Sequence, residues 1–144
     1  RMKSDLAKLI AYWSAGNPQN SVKVAGTGDP VSPDACRKTL PVFDGRMRYD
    51  LRLEYKRMEN VKAEKGYQGP VVVCAVYFTP IAGYVPDRVS IKYVAAQRNM
   101  EIWFAPIAGT RVLAPYRITI PTPLGTGMIE ATEFVSVQKT AKTN

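Results

Sequence analysis

The chain has 144 residues, 46% of them hydrophobic and 22% charged, with a formal charge of +8 and no histidine. This length and balance describe one globular domain with a real core and exclude wholesale disorder. The absence of any run of about 18 apolar residues excludes a membrane-spanning helix.

The basic excess points to acidic partners or, more plainly, to solubility, because lysines and arginines are interleaved with carboxylates along the chain. No basic segment followed by an apolar one opens the chain, so a signal peptide is not expected within it; a mature exported form would read the same way.

In chain order, the first expected element is a helix over residues 5–15. Ser4 caps it, Asp5 sits in its first turn, and Leu6, Leu9, Ile10 and Trp13 form one apolar stripe suited to docking on a sheet. Gly16, Asn17 and Pro18 end it. Residues 17–41 carry four of the eleven prolines and read as an irregular linker, with Val22 and Val24 as a brief edge strand. A long loop of this kind is either functional or pinned, and Cys36 is the obvious pin.

A β meander is expected over residues 42–138. Asp44-Gly45 suits a tight turn. After it, Met47, Tyr49, Leu51, Leu53 and Tyr55 alternate with Arg46, Arg48, Asp50, Arg52, Glu54 and Lys56, the signature of a strand with one wet face. A brief strand is expected around Val61–Tyr67. Val71 to Thr79 is a run of nine residues without a charge, bounded by Gly69-Pro70 and Pro80, and reads as a central strand buried on both faces.

Val89–Val94, Met100–Phe104, Val112–Ile120 and a last run from Thr126 to Gln138 complete the expected strands. Pro115 marks an edge position or a bulge. The tail over 139–144 is expected to fray. The run Phe78-Thr79-Pro80-Ile81-Ala82-Gly83 recurs as Phe104-Ala105-Pro106-Ile107-Ala108-Gly109. With Val89–Val94 read as a strand, both turns fall at one end of the sheet. Ile81 and Ile107 are then the apolar contacts of a lip, unless one turn solution is simply used twice.

The two cysteines, Cys36 and Cys74, admit two readings. A bridge between them stabilises by roughly 4 kcal/mol through loop closure and points to an exported protein. Two free buried thiols in a reducing compartment is the alternative.

The sequence offers little catalytic chemistry. Without histidine, the usual general base and the commonest metal ligand are missing. No serine sits in a Gly-x-Ser-x-Gly setting. Gly125-Thr126-Gly127 lacks the third glycine of a dinucleotide fingerprint, and two cysteines alone make no structural zinc site. Asp50 and Glu54 share a strand face but read as solvated residues beside arginines. No enzyme, cofactor or metal site is therefore expected.

Nucleic acid is an unlikely partner, because the tyrosines of the 46–56 strand lie opposite its arginines and form no stacking platform. What remains is the apolar side of a curved sheet. Tyr49, Leu51, Leu53, Ile81, Tyr93, Ile102, Ile107 and Tyr116 are candidates to line a trough for an apolar or lipid-like ligand. A filled core explains the same residues. Arg46, Arg48, Arg52 and Lys56 are candidates for binding an acidic polymer.

Several of these segments carry a resemblance. Gly28-Asp29-Pro30, the run from Cys36 through Phe43-Asp44-Gly45-Arg46, Tyr49-Asp50-Leu51, Tyr67-Gln68-Gly69-Pro70 through Cys74, and Pro80-Ile81-Ala82-Gly83 resemble a family of exported bacterial proteins catalogued as domain of unknown function 3108. The resemblance covers roughly residues 26–135. Members carry a signal peptide and further strands before this region, so the chain looks like the C-terminal part of such a protein. The resemblance implies a periplasmic or cell-envelope location, supports the disulfide and implies no activity.

The expected fold is mainly β: an antiparallel curved meander of six to eight strands, half-barrel-like, packed on one N-terminal helix. The expected role is that of a non-enzymatic periplasmic protein whose partner is a lipid-like ligand or another envelope protein. A structural module with a filled core is the alternative.

Overall fold

The structure is a computed structural model and describes residues 22–24, 28–122, 125–131 and 133–134. The expected helix over 5–15 and the tail over 139–144 lie outside the described residues.

The chain runs β1 (Val22–Lys23), a 3-10 turn (Pro33–Cys36), β2 (Thr39–Phe43), β3 (Arg48–Lys62), β4 (Lys65–Gly66) and β5 (Gln68–Ala82). Then come α1 (Val89–Ala96), β6 (Met100–Pro106), β7 (Val112–Thr122), β8 (Gly125–Glu130) and β9 (Glu133–Phe134). The main sheet has the order β1-β7-β6-β5-β3-β2, with β8 beside β7, and every pairing in it is antiparallel. β1 and β8 share one edge of β7: β1 takes its first residues and β8 its last. The sheet is an open meander, not a closed barrel. β4 and β9 form a separate two-residue parallel pair.

β5 is the axis of the molecule. Its alternate side chains feed two cores on opposite faces of the sheet, as a strand without charges requires. On the inner face, Val72, Cys74, Val76 and Phe78 join Tyr49, Leu51 and Leu53 of β3, Met100, Ile102 and Phe104 of β6, and Leu113, Ile118 and Ile120 of β7. Val31, Ala35, Cys36, Ile91 and Val94 complete this core. On the outer face, Val71 and Val73 join Ala63, Trp103, Ala105 and Tyr116. The Cys36–Cys74 disulfide, with Cα atoms 5.4 Å apart, ties the 3-10 turn to the middle of β5. The long loop expected to be pinned at Cys36 is pinned there.

Three expectations change. First, Val89–Val94 is not a strand but most of α1. Its apolar residues alternate over too short a window to separate period 2 from period 3.6. Ser90, Ile91 and Val94 are buried, one helical face, whereas Val89 is 67% exposed. Second, the linker stops short of residue 41, because Thr39–Pro41 already pairs with Arg52–Asp50. Third, Tyr116 does not share a face with Tyr49, Leu51 and Ile102, beside which it was expected to line the trough. The pairing of β6 jumps from Trp103↔Arg117 to Phe104↔Pro115 and leaves Tyr116 as a bulge turned to the outer face. Pro115, which has no N–H to give the ladder, sits at this bulge, one of the two places expected for it.

The Asp44-Gly45 turn forms as expected. Oδ1 of Asp44 accepts the backbone N–H groups of Arg46 at 3.0 Å and Met47 at 2.7 Å, and Gly45 has φ +92°. Gly83 packs against this turn with φ +76°, and a Cβ there would lie 2.1 Å from the Arg46 carbonyl oxygen.

Candidate functional site

The candidate trough residues separate into three groups. Tyr49, Leu51, Leu53 and Ile102 are at most 3% exposed and belong to the inner core. The ring of Tyr49 stacks on Phe78 with centroids 4.9 Å apart. Tyr93, on α1, packs half-buried over that core, and its hydroxyl donates to the Pro121 carbonyl at 2.8 Å. Tyr116 is buried in the outer core, on the other side of the sheet.

Ile81 and Ile107 form the third group. Ile81 is 49% exposed at the end of β5, and Ile107 is half-buried in the β6–β7 turn, its N–H donating to the Val112 carbonyl at 2.9 Å. They are not brought together. Val72 pairs with Phe104 and Val76 with Met100, so Pro106 lies near the start of β5 and Ile81 at its far end. The two echoed turns fall at opposite ends of the sheet because a helix, not a strand, joins β5 to β6.

The structure does assemble a cluster that strand-by-strand reading missed. Register places Tyr77 of β5 and Trp103 of β6 on the same outer face as the arginines of β3. The Arg52 guanidinium lies 4.3 Å from the Tyr77 ring centroid, and Arg98 lies 5.8 Å from it. Arg117 and Arg57 lie 4.1 and 5.4 Å from the Trp103 centroid. The sequence signal was the alternation Val71, Val73, Ala75, Tyr77, which sends Tyr77 to the face opposite Cys74.

Glu101 anchors this belt. Its side chain is only 12% exposed and accepts from both terminal nitrogens of Arg57 at 2.9 and 3.3 Å and from Nε1 of Trp103 at 3.2 Å. Lys56 adds an ion pair at 2.5 Å. A β3 bulge between Tyr55 and Arg57 lets two consecutive cations reach one carboxylate.

Burial pushes the Glu101 carboxyl up, but the hydrogen bonds from Arg57, Lys56 and Trp103 outweigh it and hold the group at about 2. The same contacts raise Arg57, the Glu101 hydrogen bond above all. Burial and the neighbouring Glu130 carboxylate push the Tyr116 phenol up.

Chemically, the belt is an internally neutralised surface. Arg48 pairs with Asp50, Arg52 with Glu54, Arg57 with Glu59 and Glu101, and Arg117 with Glu130. With Lys56 and Arg98 added, six cations stand against five carboxylates. Glu101 is ionised throughout the neutral range, so it is poorly matched to general acid–base work. Among the described residues, no group of three or more histidine, cysteine or acidic side chains comes together as a metal site. No helix among them is long and apolar enough to cross a membrane.

Over residues 28–132 the chain matches the model of a protein family described as Protein of unknown function (DUF3108). No curated protein and no solved structure matches it.

Proposed function

We propose, for a chain that belongs to the DUF3108 family, a non-enzymatic role as a periplasmic cell-envelope module that acts through its surface. The hollow of its sheet is filled by its own side chains. The observation that carries this reading is the burial of Tyr49, Leu51, Leu53 and Ile102 within one packed inner core. An apolar ligand on that face has to displace Ile91, Val94 and the Cys36 turn, and close-packed interiors resist such displacement.

The disulfide supports the compartment, because such bridges persist in oxidising surroundings. The near balance of charge across the outer belt counts against binding of an acidic polymer there, since such binding is driven by unneutralised cations.

Native mass spectrometry of the purified, oxidised protein tests the proposal. The expected mass is that of the chain alone, with no gain in fluorescence from a cavity-sensitive dye. A co-purified lipid, or a dye that binds and is displaced by lipid, overturns it.

A further inference from the structure

We infer that the far half of β3 pairs with the same segment of a second copy of this chain, antiparallel and about a two-fold axis at Met58. β3 runs over Arg48–Lys62, and β5 lies beside nearly all of it. On its other side β2 covers only Arg48 to Arg52, and the Lys38 carbonyl accepts from the N–H of Leu53. Among the described residues, no strand lies beside residues 54–62 on that side. An open run of backbone N–H and C=O groups is a template for another strand. β2 carries Pro41, which has no N–H to give a ladder, whereas residues 54–62 contain neither proline nor glycine. Tyr55 and Met58 are 43% and 38% exposed along this edge.

Register and charge select the partner. Two edge strands related by a two-fold axis set residues of the same face opposite each other. Beyond the β3 bulge, Arg57 and Glu59 stand opposite Val73 and Val71 on the outer face, and Met58 opposite Val72 on the inner face. An axis at Arg57 sets two guanidinium groups against each other, and an axis at Glu59 sets two carboxylates. An axis at Asn60 sets Met58 against Lys62 and makes no ion pair. An axis at Met58 sets Arg57 against the partner's Glu59, Glu59 against the partner's Arg57, and one exposed methionine against the other.

Arg57 and Glu59 are already paired within the chain, Nε to carboxylate at 2.7 Å, and Arg57 also holds Glu101. Neither contact has to break. Both side chains are 39% exposed, so the second copy joins two neutral pairs into one ring of alternating charge. The contact closes on itself, because each copy uses one and the same edge. The bulge between Tyr55 and Arg57 ends the regular ladder on each side, so the interface is small and the dimer weak. The inference stands independently of the filled-core reading: a lipid-free dimer leaves that reading intact.

The test is sedimentation equilibrium of the full, oxidised chain from about 5 μM to about 500 μM, a range that suits a weak contact. The mass is expected to rise with concentration from one chain towards two, and no further. Met58→Lys sets two lysines face to face at the axis, and Glu59→Arg sets arginine against Arg57. Each is expected to raise the dissociation constant about tenfold. Met128→Lys, a change at a residue 57% exposed on β8, leaves it unchanged. Under a mild oxidant, Met58→Cys is expected to give a disulfide-linked dimer, because the two positions face each other across the axis. Cys36 and Cys74 are already bridged and do not compete. Tyr55→Cys is expected to give none, since in this register the two positions lie roughly 20 Å apart.

An intact Cys36–Cys74 bridge with an unchanged unfolding midpoint confirms that each variant folds. Four results each overturn the inference. They are a single-chain mass at every concentration, a mass that climbs past two chains, self-association untouched by Met58→Lys and Glu59→Arg, and cross-linking of Tyr55→Cys as complete as that of Met58→Cys.

Discussion

Glu101 shows how one side chain holds an exterior together. It is the meeting point of Arg57, Lys56 and the indole of Trp103, and its proton affinity is lowered by those contacts against the effect of burial. A carboxyl depressed in this way contributes stability above its unfolded value and loses it as pH falls towards about 2. In urea unfolding, the wild-type chain is therefore expected to lose about 2 kcal/mol more than Glu101→Gln between roughly pH 5 and pH 2. At neutral pH the Gln variant is the less stable of the two, because it leaves Arg57 without its main partner. Identical acid limbs for the two proteins contradict this role.

At the scale of elements, the sequence was most legible where burial was lopsided. Met47, Tyr49, Leu51 and Leu53 alternate with charges and are all buried, so most of β3 could be read by eye, whereas Tyr55, the last of the alternation, is 43% exposed. The uncharged run from Val71 read correctly as a strand, but both faces are dry only over residues 71–74. Beyond them Val76 and Phe78 stay buried on the inner face, while Ala75 and Tyr77 are half-buried and Thr79 is exposed on the other. Two kinds of feature stayed hidden.

Bulges at Tyr55–Arg57 and at Tyr116 change the face of later residues without any local mark except Pro115. The segment after Arg88 was β-branched and short enough to pass for a strand. In truth it is a helix that buries Ile91 and Val94. Val94→Asp places a charge in the inner core and is expected to cost more than about 3 kcal/mol, while Val89→Asp stays within about 0.5 kcal/mol. Chemical unfolding of the two variants measures this. Similar losses in both contradict the helical face assigned here.

At the scale of the whole molecule, the fold class was legible because several segments repeat the period of a half-buried strand. The strand order was not legible: β1 pairs with β7 at one edge while β2 stands at the other, and a helix rather than a tight turn joins β5 to β6. The candidate site was far less legible. Eight residues were read as one apolar lining, yet four sit in the inner core, Tyr93 packs half-buried over it, Tyr116 lies across the sheet, and Ile81 and Ile107 stand at opposite ends. Alternation tells which residues share a face of one strand. Only register tells which strands bring their faces together, and register also put Tyr77 and Trp103 beside the arginines.

The central claim is that the inner face is occupied by the protein's own side chains and leaves no room there for a lipid chain. Methyl-resolved NMR during titration with an anionic lysophospholipid tests it most directly. The methyl signals of Leu51, Leu53 and Ile102, all at most 3% exposed, are expected to stay in place throughout. Contacts from lipid acyl chains to Leu51, Leu53 or Ile102 would contradict it.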